Sequence, residues 1–303
     1  MLRPNTMTYS QWKFKLVYWL RLLTLGTVAA YFGIILYGAL LITVALTIPL
    51  KETVCCLELA HEDIHFKTAD GLTLSGWYVP PKNGAVIILL HAYYGNRRQT
   101  IPVAEMLARH GYGLLMYDQR ASGESAGEVR SLGWLDIPDV NQAVALAQSR
   151  PGVDKNRIGV YGCSMGGAIA LAAAAANPSI SAVAADAASP LTFGEARPGL
   201  DDPIWGVKIP VYALYYSLVS LRAGMLPQTT TLTAAQSIAP RPLLLISSGE
   251  SGERARIDAL YNLAGEPKTH WNIPESGHCG GPFARPGEYE QRLVNFFDSS
   301  MLK

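Results

Sequence analysis

The sequence predicts an α/β protein: a mostly parallel central sheet with helices on both faces and a helical cap insertion, preceded by one N-terminal transmembrane helix. Three observations carry this expectation. From residue 85 onward, short apolar runs of strand length alternate with helical stretches. The runs are continuously apolar, as strands buried on both faces are. And Leu22 to Leu46 contains no charged residue at all.

Residues 1–21 read as a cytoplasmic tail and 22–48 as the membrane anchor. A helix rises about 1.5 Å per residue, so this segment can cross a hydrocarbon core of roughly 30 Å with some tilt. Tyr18 and Trp19 stand where an interfacial aromatic belt would. A secretory signal is the rival reading, but its apolar core usually runs to about 7–15 residues, and no small-x-small cleavage site follows here. Arg3, Lys13, Lys15 and Arg21 precede the span with no acid among them, while Lys51 is followed by Glu52 and Glu58. The positive-inside rule then puts the N-terminus in the cytoplasm and the rest outside it, in the periplasm if the source is bacterial.

The globular domain is expected over 54–303. Residues 62–80 predict two strands around the Asp70-Gly71 turn. Strands follow at 85–90, 112–118, 157–162, 180–186, 242–247 and 269–274. Helices are expected at 98–110, 136–150, 165–176, 253–264 and 286–302. Residues 187–240 break the alternation and read as the cap. Their apolar stretch 209–226 is either a helix packed on the core or a lid over an apolar pocket, or a segment touching the membrane. Lys208 and Arg222 argue against a second full span.

Composition excludes some classes. With 25 basic and 24 acidic residues the net charge is +1, and no basic run interleaved with aromatics points to nucleic acid. The four cysteines, Cys55, Cys56, Cys163 and Cys279, lack the spacing of a zinc site, so no metal ligand set is expected. Cys55 and Cys56 read as small apolar filler or a lipid-facing pair, since a bridge between adjacent residues would be strained.

Gly162-Cys163-Ser164-Met165-Gly166 is a GxSxG motif at a strand–helix junction, the context that gives the motif chemical meaning. A sharp turn there lifts the Ser164 hydroxyl clear of the sheet and aims the first N–H groups of the helix at a reacting oxygen. A serine hydroxyl needs a base. His278, in the Gly-rich loop after the last strand, is the candidate; the other five histidines fall in the first hairpin, at a helix end, inside the last strand or in the loop after strand 85–90. The acid that orients it should follow strand 242–247. Glu253, which opens the next helix, is the first choice, Glu250 the second, and Asp186, ending the preceding strand, the third. Two backbone donors are expected for the oxyanion: Met165, after the nucleophile, and Tyr93, in the loop His91–Asn96.

With these residues in place the chain resembles the α/β-hydrolase superfamily, near its BEM46-like, dienelactone hydrolase and prolyl-oligopeptidase branch. The resemblance covers roughly 62–300 and rests on HAYYGN, DQRASGES (118–125), DKNRIGVYGCSMGG (154–167), PESGHCGG and the closing EYEQRLVNFFD. Ala92 and Ala121 stand where the family has glycine, and its Gly-x-x-Asp after the seventh strand is absent. The resemblance implies that Asp118 and Arg120 tie a loop to the sheet. It implies acyl transfer to water without metal or cofactor: a serine hydrolase of carboxylic esters or thioesters, acting on a small-molecule or lipid-like ester. An amidase or peptidase would use the same residues, and a non-catalytic scaffold would keep only the fold. If the site forms, Cys163 and Cys279 become spatial neighbours, read here as two buried small side chains, with a disulfide the alternative.

Overall fold

The computed structural model describes residues 8–197, 199–200, 202–250 and 252–302. Arg3 and the start of the tail thus lie outside the described residues.

Eight strands form one sheet: β1 (Glu62–Lys67), β2 (Thr73–Val79), β3 (Val86–Leu90), β4 (Gly113–Tyr117), β5 (Ile158–Cys163), β6 (Ala182–Asp186), β7 (Leu243–Ser248) and β8 (Lys268–Ile273). Their order across the sheet is β8-β7-β6-β5-β3-β4-β2-β1. β2 runs antiparallel to both its neighbours, and every other pairing is parallel. The chain thus starts with a hairpin at one edge and fills the sheet from its middle outward. A further two-residue parallel ladder joins Leu50–Lys51 to Ser122–Gly123.

The helices are α1 (Tyr9–Thr47), α2 (Ile101–Arg109), α3 (Asp139–Gln148), α4 (Met165–Ala176), α5 (Phe193–Ala196), α6 (Trp205–Ala223), α7 (Thr231–Ile238), α8 (Glu253–Leu263), α9 (Gly281–Ala284) and α10 (Pro286–Met301). Val103 and Leu107 of α2 and Leu293 and Phe297 of α10 share one core with Ile87, Leu89, Leu114, Met116, Leu244 and Ile246 of the strands. By the two-residue pleat, the equally buried Ile88, Leu90, Leu115 and Val160 point to the other face. The sequence-predicted helix at 98–110 starts as a 3-10 turn over Arg97–Thr100, and the α-helix begins at Ile101. Pro102 suits that first turn, where a missing N–H costs nothing.

Two compact units emerge. One holds the described residues up to Ala45 together with Arg197–Leu218; the other holds Leu46–Ala196 and Val219–Lys303. In the first, Ile35, Ala39 and Ile42 of α1 pack against Val211, Leu214 and Leu218 of α6, and the Tyr31 hydroxyl donates to the Gly206 carbonyl at 2.6 Å. α1 begins at Tyr9, well before the charge-free segment. Lys13, Lys15 and Arg21 are good helix formers, so they end the apolar stretch without ending the helix. The cap region contributes α5, α6 and α7.

Both cysteine pairs are disulfides: Cys55 with Cys56, and Cys163 with Cys279, whose Cα atoms lie 6.0 Å apart. This corrects the expectation of unbridged side chains. For the second pair the cause is topological, since β5 and the loop after β8 bring their ends to one place.

Candidate active site

Ser164 is the residue before the first turn of α4, with φ 57° and ψ −117°. A non-glycine residue there stores strain, of order 1–3 kcal/mol. The surroundings impose it. A Cβ on Gly162 would sit 2.1 Å from the Gly166 carbonyl oxygen, and one on Gly166 would sit 2.2 Å from that of Leu90. Both glycines are therefore required for the strand to turn into the helix. The Ser164 N–H donates to the Asp186 carbonyl at 2.8 Å, which ties the turn to the end of β6.

Three side chains form a continuous row. The Ser164 hydroxyl oxygen lies 2.8 Å from His278 Nε2, and His278 Nδ1 lies 2.6 Å from Glu253 Oε2. Nδ1 faces a carboxylate, which accepts only. The ring hydrogen is assigned there, and Nε2 is left to accept from Ser164. Glu253 is buried at the start of α8, and its other oxygen accepts from the Ser248 N–H at 2.6 Å. Its hydrogen bond to Glu253 holds the His278 pKa above the ordinary histidine value, against burial. Burial pushes Glu253 up, but the bonds from His278 and Ser248 outweigh it and hold the carboxyl below its ordinary value.

The other two acids have different partners. Glu250 accepts from the backbone N–H of His278 at 3.0 Å, so it holds the loop rather than the ring. Asp186 is buried and accepts from the Tyr289 hydroxyl at 2.7 Å. Burial and the nearby Glu253 charge raise its pKa to about 6. Among the described residues, Glu250, Glu253 and His278 form one group whose ligand atoms lie within 4.8 Å of one another. Both Glu253 oxygens, both His278 ring nitrogens and Glu250 Oε1 already serve the bonds just described.

Of the expected oxyanion donors, Met165 opens α4, where N–H groups have no carbonyl of their own helix to meet. Tyr93 lines the cavity beside Ser164. Its loop is fixed at several points. The Arg130 guanidinium stacks over the Tyr93 ring at 4.6 Å and donates to the Tyr93 carbonyl at 3.0 Å. The Tyr93 hydroxyl donates to the Leu46 carbonyl. His91 Nε2 accepts from the Gln119 N–H at 2.9 Å while Nδ1 lies 2.7 Å from the Ala92 carbonyl, so its ring proton sits on Nδ1. Burial keeps this imidazole's pKa below the ordinary value. Asp118 and Arg120 have the structural surroundings expected of them. Asp118 receives the Arg97 N–H at 2.8 Å, and Arg120 bridges Asp70 and Asp139, each at 2.6 Å.

The row opens into a cavity of about 600 Å³, walled mainly by apolar groups that include Leu90, Pro102, Val103, Tyr161 and Pro282, with exposed Tyr94 and Phe283 among its lining. From the 187–240 insertion, Ser189 lines it. Sequence reasoning missed Ser189, whose hydroxyl lies 3.0 Å from that of Ser164. It also missed Arg130. Neither carries a motif; both reach the site through long-range pairing.

An eight-stranded sheet that is parallel except at β2, with a serine on the turn from β5 into α4, is the arrangement of the α/β-hydrolase fold. A family profile described as "alpha/beta hydrolase fold" matches residues 85–206. The esterase Pf2001 of Pyrococcus furiosus superposes with a TM-score of 0.66 at 23% identity, covering 84% of this chain and 98% of its own. The uncharacterized protein YfhR of Escherichia coli O157:H7 is 27% identical over 256 residues, spanning 79% of this chain and 81% of YfhR. The thiohydrolase aneE of Aspergillus aculeatus is 34% identical over a shorter stretch of 121 residues, 39% of this chain and 38% of aneE. The chain has the α/β-hydrolase fold, and its relatives of that fold include an esterase and a thiohydrolase.

Proposed function

We propose that this chain is a serine hydrolase that cleaves carboxylic esters or thioesters through an acyl-enzyme. The observation that carries the reading is the row from Glu253 through His278 to Ser164, with spacings of 2.6 and 2.8 Å, at the wall of an apolar cavity. Ser164 Oγ attacks the carbonyl carbon as His278 Nε2 takes its proton. Glu253 holds the ring and offsets the charge of the imidazolium. The amides of Tyr93 and Met165 receive the oxyanion. The C–O or C–S bond breaks, and the leaving group takes the proton from His278. Water then repeats the cycle on the acyl-enzyme. The apolar lining favours an apolar acyl group, which includes lipid-like esters.

In this reading the hydrolase domain runs from about residue 54 to 303 and α1 is its membrane anchor. α1 is 39 residues long, with a charge-free segment long enough to span a bilayer. A cleaved signal would take with it the stripe Ile35, Ala39 and Ile42 that α6 buries, which favours a retained helix. The flanking charges favour a cytoplasmic N-terminus and a domain on the other side.

The test is hydrolysis of p-nitrophenyl acetate, p-nitrophenyl octanoate and an acyl thioester by the full chain in detergent. The reading expects turnover by the wild type and loss of it in Ser164→Ala, with rates that rise from acetate to octanoate. No turnover of any of them would favour a scaffold.

A further inference from the structure

A second hydroxyl stands at the reacting oxygen. Among the described residues, Ser164 Oγ has two side-chain neighbours within hydrogen-bond distance: His278 Nε2 at 2.8 Å and Ser189 Oγ at 3.0 Å. A serine hydroxyl has one hydrogen to give. With Nδ1 of His278 protonated toward Glu253, Nε2 must accept, so the Ser164 hydrogen goes to the ring. The bond between the two hydroxyls therefore has Ser189 as donor.

The placement of Ser189 is built rather than incidental. It lies in the loop after β6, whose last residue pairs in register with Cys163, next to the nucleophile. Its own N–H donates to the Ser164 carbonyl at 3.0 Å, so the main chain already clamps this loop to the turn. From the other side, Arg256 Nε donates to the Ala188 carbonyl at 3.0 Å. Arg256 lies one turn after Glu253 on α8, so the helix that presents the carboxylate to His278 also holds the loop that presents Ser189. The side-chain hydroxyl is not needed for that clamp, and it faces the cavity.

We propose that Ser189 is a catalytic residue, whose hydroxyl donates a hydrogen bond to Ser164 Oγ throughout the cycle; this rests on the reading of Ser164 as nucleophile. In the resting enzyme the bond holds Oγ in the rotamer that faces His278. Its larger effect falls on deacylation. Water attacks the acyl carbon as His278 takes one of its protons. The C–Oγ bond then breaks, its electron pair stays on Oγ, and Oγ takes the proton back from His278. Ser189 keeps its own proton and donates to Oγ as that pair arrives, which makes Oγ a better leaving group. A hydrogen bond that strengthens only as charge builds lowers the barrier of that step.

Stopped-flow turnover of p-nitrophenyl acetate tests this on the full chain in detergent, comparing wild type, Ser189→Ala and Ser189→Thr. Loss of a single donor to a developing charge costs about 10–100-fold in rate. Ser189→Ala is expected to lose that much in kcat, with KM falling in parallel so that kcat/KM stays within about 3-fold, because deacylation is the step that slows. A burst of p-nitrophenol should precede its steady state, because the acyl-enzyme accumulates. Ser189→Thr, which keeps the hydroxyl, should recover most of the rate, whereas a merely structural serine would give neither burst nor recovery. Ser189→Ala within 2-fold of wild type, or Ser189→Thr as slow as Ser189→Ala, overturns the assignment while leaving the nucleophile reading intact. A wild type that releases no p-nitrophenol overturns both.

Discussion

Glu253 presents one carboxylate oxygen to His278 Nδ1 at 2.6 Å, while Glu250, three residues earlier, reaches only the backbone N–H of the same histidine at 3.0 Å. The difference comes from α8. Glu253 opens the helix after Gly252 turns in the left-handed region, and the Ser248 N–H fixes its second oxygen. The two glutamates are thus expected to differ in consequence. Glu253→Gln should lower kcat by about 10²–10⁴-fold, because the ring loses its orienting charge and its tautomer. Glu250→Gln and Asp186→Asn should each stay within about 10-fold. Steady-state kinetics of the three variants decide the matter, and equal activity of all three would break the assignment.

The raised pKa of His278 sets the pH profile. The base works unprotonated, so kcat/KM should rise with pH along a limb displaced above the ordinary histidine value of 6.5. In Glu253→Gln that limb should move to lower pH, since the largest cause of the shift is gone. Linkage gives the stability counterpart. The His278–Glu253 attraction contributes fully below the unfolded histidine pKa, and it is lost as pH rises through the higher folded value. Profiles of kcat/KM between pH 5 and 9, wild type against variant, measure the displacement.

The Cys163–Cys279 bridge joins the neighbours of Ser164 and His278 across a sequence separation of 116 residues. Closing so long a loop restricts the unfolded chain by about 4–5 kcal/mol in the entropic account. Cys163→Ala with Cys279→Ala should therefore lower the melting temperature by roughly 5–15 °C. The effect on kcat should be smaller, about 10-fold or less, because Glu250 and Glu253 still hold the histidine loop. Calorimetry and a non-reducing peptide map check the two parts separately.

If α1 is an uncleaved anchor, the full-length chain should stay with the membrane after alkaline carbonate extraction. Its N-terminal residues should remain present by mass spectrometry. A protease added outside intact cells or spheroplasts should reach the hydrolase domain. A soluble chain beginning after residue 21 would contradict the anchor and point to a processed signal.

The fold was legible because its signals are local. AVIILL and RIGVYG are apolar runs of strand length with β-branched residues, and the elbow's two glycines stand in the motif itself, two residues either side of Ser164. His278 was legible from its loop and chain order. The preference for Glu253 over Glu250 rests on a helix that starts at residue 253, and α8 starts there. Ser189 was less legible: it reaches Ser164 only through the parallel register of β6 on β5. Arg130 is hidden for the same reason, as its partners Tyr93 and Ile48 lie far away in sequence. α1 also outran its apolar segment, since hydropathy measures transfer into lipid and not helicity.

The most direct measurement is mass spectrometry of the protein after reaction with a fluorophosphonate, which phosphonylates only an activated serine. The account expects one adduct, on the tryptic peptide containing Ser164, and none in Ser164→Ala or His278→Ala. An unmodified wild type, or an adduct that survives in Ser164→Ala, would contradict it.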